Sequence, residues 1–133
     1  MTSKFRRGIF LSIYKFDAHI DWTRFKMKDI EVDFAKKGEV DRSGRKDWTN
    51  NSADLRYSGD LPDKYDDRIR LLIDAIGGEI VLSELISLHS PKDVFILLEI
   101  PAKSSSKNEE GYISHEMLKL LVQLEIELHF WYV

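Results

Sequence analysis

Between residues 8 and 16 the chain reads GIFLSIYKF, and apolar side chains fall on both parities of an alternating pattern. Ile9, Leu11 and Ile13 take one side, and Phe10, Ser12 and Tyr14 take the other, which predicts a first strand. Residues 93–100, DVFILLEI, are greasy on both parities and are closed by Pro101. Such a run suits a central strand covered on at least one face. The stretch EIELHFWYV alternates again, with Ile126, Leu128, Phe130 and Tyr132 on one side and Glu127, His129 and Trp131 on the other. DWTNNSADLRYS, residues 47–58, also reads as a strand, anchored by Trp48 and Tyr57 but polar through its middle. An edge or half-exposed position would tolerate that polarity; a buried central one would not.

Helical spacing is clearest in LPDKYDDRIRLLIDAIGG, where Leu61, Tyr65, Ile69, Leu72, Ile73 and Ile76 recur on one stripe. Pro62 suits a first turn, and Asp60, Asp63, Asp66 and Asp67 favour the positive end of the helix dipole. Gly77 and Gly78 supply the stop. EIVLSELISL predicts a short second helix, although a strand also fits. SHEMLKLLVQL predicts a third, with Ser114 as N-cap, Glu116 in its first turn, and Leu118, Leu121 and Val122 as the buried stripe. IDWTRFKMKDIEVDF satisfies two patterns: Phe25, Ile30 and Phe34 allow a weak helix, while Val32 and Phe34 alternate like a strand. KKGEVDRSGRKD and AKSSSKNEEG read as loops.

With the weak helix adopted, the order is strand, helix, strand, helix, short helix, strand, helix, strand. That order predicts a single α+β domain over 1–133: a largely antiparallel sheet of about four strands with helices packed on one face. Phe10, Tyr14, Phe95, Leu97, His129 and Trp131 are then expected to share the opposite face.

Composition narrows the chemistry. The 133 residues contain no cysteine, which excludes disulfides, thiolate metal sites and cysteine nucleophiles. This agrees with a cytoplasmic setting, as does the N-terminal apolar run, which Lys15 and Asp17 close too early for a signal peptide. No apolar run approaches the ~18 residues of a membrane span. The net charge of -3 is unevenly placed: residues 1–46 hold twelve Lys/Arg against seven Asp/Glu, and residues 47–133 eight against sixteen. The acidic part repels phosphate backbones and attracts basic proteins.

The candidate chemical motifs are weak. GGEIVLS lacks the phosphate-loop spacing and its lysine. SHEML opens like a zinc-protease helix, but Lys119 stands where the second histidine belongs, and His115 reads as an exposed first-turn residue. Asp17, His19 and Asp21 would project together from a strand, and could hold a metal there; a polar turn explains them as well. His89 reads as a solvated loop residue. Lys36, Lys37, Arg42, Arg45 and Lys46 form a basic segment, but Glu39, Asp41 and Asp47 interrupt it and only Trp48 could stack on a base. No catalytic residue, cofactor or metal is therefore expected, and nucleic-acid binding is disfavoured.

Several features together resemble a bacterial domain-of-unknown-function family, number four-two-seven-nine. They are the first strand, KKGE with its basic loop, DW with its polar residues, the LPDKYDDRIRLLIDAIGG helix and the closing ISHEMLKLLVQLEIELHFWYV. The likeness runs from about Phe10 to Tyr132, with Gly38, Trp48, Ser114, Glu116, Leu118 and Tyr132 at matching positions. Residues 17–34 depart from that family's first helix. The resemblance implies no enzyme activity; it implies an immunity-type protein that binds and neutralises a cognate toxin, for example a nuclease delivered by contact between cells. The expected contacts with a basic toxin are Asp60, Asp63, Asp66, Asp67, Glu109 and Glu110, with Trp131 as an apolar anchor. The alternative is a small-molecule or nucleotide-binding module that uses the sheet-face aromatics and His129. A homodimer built through Trp131 is a third possibility.

Overall fold

The computed structural model describes residues 8–16, 20–22, 25, 27–40, 44–47, 49–89, 91–100 and 112–132. The elements are β1 (Ile9–Phe16), β2 (Ile30–Ala35), β3 (Asn51–Tyr57), α1 (Tyr65–Ile76), α2 (Glu79–His89), β4 (Asp93–Ile100), α3 (His115–Gln123) and β5 (Glu127–Tyr132). They form one five-stranded sheet in the order β2-β3-β1-β4-β5. All neighbours are antiparallel except β4 and β5, which run parallel across the α3 crossover. The α+β expectation holds, with one strand more than expected.

The extra strand is β2. Its alternating Val32 and Phe34 pair with Leu55 and Ala53 of β3 and face the helices, so the strand pattern prevails over the weak helix. Phe34 stacks on Phe16 at 6.2 Å and meets the edge of Trp22 at 6.1 Å. That contact fixes the β2 end of the core.

Register sorts the side chains into two faces. Ile9, Leu11 and Ile13 align with Leu98, Ile96 and Val94 on one side of β1, and Leu11 and Ile13 with Leu55 and Ala53 on the other. Against this face lie Ile69, Leu72, Ile73 and Ile76 of α1, Leu82 and Leu85 of α2, and Met117, Leu120 and Leu121 of α3. A fully buried Ile or Leu contributes about 1.5–3 kcal/mol relative to exposure, so this layer dominates the favourable side of folding.

α3 is turned from its expected orientation. Met117, Leu120 and Leu121 are buried, with Leu124 partly so, while Leu118 is 45% and Val122 77% exposed. The sequence offers two overlapping stripes. The one at 117, 120, 121 and 124 has four apolar positions at i, i+3, i+4 and i+7, and it covers more sheet than the three-membered alternative. β3 also departs from expectation: it lies inside the sheet, between β2 and β1.

The helix ends follow local rules. Ser114 caps α3, its hydroxyl accepting from Met117 N at 3.1 Å. The other end closes with Ile126 N donating to Leu121 O at 2.9 Å and Glu125 N to Val122 O at 3.0 Å. That is a Schellman closure with glutamate, φ 58°, where glycine is usual. α1 begins at Tyr65, with Lys64 in the N-cap position, so Asp60, Pro62 and Asp63 precede it rather than open it. α1 ends at Gly77, φ 132°, where an added Cβ would lie 2.9 Å from Val81 Cγ1 of α2. His89 is the last residue of α2 rather than a loop residue.

Two substitutions test this account by urea or thermal unfolding. Gly77→Ala should destabilise by about 1–2 kcal/mol, because it adds a Cβ in a left-handed region already crowded by Val81. Glu125→Gly should stabilise by about 0.5–1 kcal/mol, because it relieves the side-chain penalty at the α3 closure.

Candidate functional site

The approach to α1 is held from below by one buried cation. Arg68 is only 2% exposed, on the stripe that also carries Tyr65 and Leu72. Its Nε donates to the Pro62 carbonyl at 2.6 Å, and its guanidinium lies 5.0 Å from the Tyr65 ring centroid. A planar, permanently charged group fits both tasks, which an ammonium would not. The segment carrying Asp60 and Asp63 is therefore fastened to the helix it precedes. An arginine on an otherwise apolar stripe was visible in the sequence as a signal of this kind.

The four aspartates divide into two roles. Asp60, Asp63 and Asp67 are exposed. Asp66 is half-buried, and its Oδ1 accepts from Ser114 N at 2.8 Å. The first turn of α1 thus holds the residue that caps α3, and the N-termini of the two helices come together. Each end carries about half a positive charge, so Asp66, Asp67 and Glu116 offset two dipoles at one place. Glu109 and Glu110 lie outside the described residues, as do Asp17, His19, Arg42 and Trp48.

The sheet face away from the helices carries the residues expected of it. Phe10 aligns with Leu97, and Leu97 with His129; Ser12 aligns with Phe95, and Glu99 with Trp131. Tyr14 meets Phe95 edge-on at 5.6 Å, and His129 stacks on Phe95 at 4.1 Å with 9° between the rings. His129 Nε2 and Glu127 Oε1 lie 3.1 Å apart. Phe10, however, is buried, with the Arg56 guanidinium 4.9 Å from its ring centroid. Trp131, at 61% exposure, is the aromatic of this face most open to solvent.

Asp54 explains how polar β3 can sit inside the sheet. It is buried beside Ser12, whose hydroxyl donates to Asp54 Oδ1 at 2.6 Å, and the Tyr14 hydroxyl lies 3.3 Å from the same oxygen. A buried carboxylate is tolerated when such donors satisfy it. The pairing spans 42 residues of sequence, so no local signal announced it.

The GRKDWTNN stretch is organised by Asp47. Its Oδ1 accepts from Thr49 N at 2.9 Å and from Asn50 N at 3.0 Å. These amides, Thr49 first, hold the Asp47 carboxyl below the ordinary carboxylate range. Val40 bridges to Lys46, Lys37 N donates to Asn51 Oδ1 at 2.8 Å, and Lys36, Lys37 and Lys46 are exposed.

Among the described residues no group of three or more His, Asp or Glu could hold a metal ion. An open groove of about 360 Å³ lies between α2 and α3, lined by Glu79, Ile80, Ser83, Glu84, Leu120, Gln123 and Leu124. Glu79 is engaged by Arg70 at 2.9 Å. Among the described residues no helix is long and apolar enough to cross a membrane. No family model, curated protein or solved structure matches the chain, so the family resemblance rests on the quoted residues alone.

Removing a carboxylate should separate the roles. Asp66→Ala should cost about 1 kcal/mol by freeing the Ser114 amide, while Asp67→Ala should stay within about 0.5 kcal/mol of wild type in the same unfolding assay. Ser12→Ala should cost about 1–3 kcal/mol by withdrawing a donor from buried Asp54. Titration by NMR should place the Asp47 midpoint below that of a free aspartate. The contribution of its depressed pKa is then complete above the ordinary carboxylate range and is lost as pH falls through the folded-state midpoint.

Proposed function

We propose that this protein is an immunity-type binding module, which neutralises a basic toxin by covering the surface where that toxin holds its substrate. The observation that carries this reading is the fastened acidic approach to α1. Asp60, Asp63 and Asp67 are exposed, yet the backbone beneath them is fixed by buried Arg68 and by the Asp66–Ser114 bond. Surface carboxylates alone are ordinary. Carboxylates on a backbone ordered before binding lower the entropic cost of association. Their negative field would steer a cationic partner toward them and favour fast encounter. A nuclease is a suitable partner, because its phosphate-binding cleft is necessarily cationic. The acidic balance of residues 47–133 and the family resemblance point the same way.

The expected outcome is a stable complex with the basic toxin encoded beside this gene, detected by co-purification and calorimetry at micromolar protein. Charge reversal of Asp60, Asp63 and Asp67 to lysine together should lower affinity by at least about tenfold, mainly through association rate, with the effect shrinking as salt rises. Full binding by that triple variant, with its fold intact, would refute the assignment of these carboxylates. No complex at micromolar concentration would refute the function.

A further inference from the structure

The two edges of the sheet are treated differently. β2 carries Glu31 and Asp33 on its face away from the helices, and charges on an edge discourage another chain from pairing with it. β5, the opposite edge, has one acidic residue at its start and then Leu128, His129, Phe130 and Trp131. It contains no lysine, proline or bulge, and among the described residues nothing pairs along its outer side. Phe130 is 48% and Trp131 61% exposed, on opposite faces of the strand.

The flank of α3 continues this surface. Leu120, Gln123 and Leu124 line the groove against α2. Leu118 and Val122 lie on the other side of the helix from Leu120, and therefore on the flank of α3 away from α2. Phe130 belongs to the helix-covered face of β5. Leu118, Val122, Phe130 and Trp131 are four of the seven exposed large apolar side chains among the described residues, and they lie on two elements in contact, α3 and β5.

We infer that β5 pairs antiparallel with β5 of a second copy of this chain, about a two-fold axis at Phe130, to make one continuous sheet. Register supports the choice of occupant. With Phe130 opposite Phe130, His129 falls opposite Trp131, so each pair shares a face and joins aromatic groups. Glu127 of one copy then lies away from Glu127 of the other. The exposed parts of the four apolar side chains amount to about 450 Å² per copy. Two copies hold at most about 900 Å² of such surface to bury, to which the strand backbones and flanking groups add, against the ~1,200 Å² of a specific complex. Self-pairing also closes the unguarded edge symmetrically, without leaving a new one to grow. The acidic approach to α1 stays free for the toxin, so this contact does not depend on the proposed function.

The test is the mass of the full chain in solution. Light scattering or sedimentation at about 10–500 μM should give twice the chain mass, and Phe130→Lys with Trp131→Lys should give the single-chain mass with an unchanged circular dichroism spectrum. Glu31→Lys, on the β2 edge, should leave the dimer intact. Because the chain lacks cysteine, one engineered thiol reads the register. Phe130→Cys should form a linked dimer on mild oxidation, since directly opposite Cα atoms lie about 4.5–5.5 Å apart, within disulfide reach. His129→Cys should not, because the two copies of residue 129 are offset along the strands. A wild-type monomer at about 500 μM overturns the inference, as does a dimer indifferent to the β5 lysines, or an edge that accepts a strand only from a different protein. Linkage through residue 129 in place of 130 overturns the register.

Discussion

β1 hydrogen-bonds along both of its edges, to β3 and to β4, and is close-packed on both faces for most of its length. On the helix side Ile9, Leu11 and Ile13 meet the buried stripes of the helices. On the other side Phe10 is roofed by Arg56, and Ser12 spends its hydroxyl on Asp54. A strand so enclosed can hold a polar residue only if that residue completes someone else's bonding. Ser12 does so, and with the Tyr14 hydroxyl it lets β3 lie inside the sheet with a buried carboxylate. A carboxylate buried there without donors would cost stability. With β1 enclosed at the centre, β2 and β5 are the outer strands of the sheet.

The helical layer is tied to the sheet by polar contacts at its ends as well as by apolar stripes along its length. Lys28 N reaches the Ala75 carbonyl at 3.0 Å and secures the end of α1 to the entry of β2. At the other end Asp66 secures α1 to the cap of α3. α1 is therefore clamped at both termini, and Arg68 holds its approach from inside. The acidic residues around its start act in two ways at once. Some offset the dipoles of two adjacent helix ends, and the rest stand in solvent on an ordered backbone. The second group can carry a charge-steered contact only because the first group fixes its position.

Much of this was readable from the chain. The parities of β1, β4 and β5 placed Phe10, Tyr14, Phe95, Leu97, His129 and Trp131 on one face, as the register shows. Gly77 and Ser114 marked helix ends where glycine and serine chemistry demanded it. The failures share a cause: a long-range partner decided between local alternatives. Val32 and Phe34 became a strand because β3 and Phe16 were there to receive them. The middle of β3 looked like an edge because Ser12 stands 42 residues away. Leu118 and Val122 looked like core because their spacing is helical, and only the breadth of the competing stripe assigns them to the surface. For the candidate site, the aspartates were visible as a charge cluster, but the division between Asp66 and its neighbours depends on Ser114, 48 residues on.

That last misreading has a physical counterpart. Apolar residues that face water lower solubility unless something covers them. Leu118 and Val122 are one such pair, and Phe130 and Trp131 are another, on an adjacent element. The charges that could have shielded β5 stand instead on β2, at Glu31 and Asp33. One edge is thus guarded and the other greased, within a single sheet whose strand order fixes both. A chain under selection only for solitary folding would gain by exchanging those two compositions. Their present arrangement is intelligible if β5 is normally covered and β2 is not.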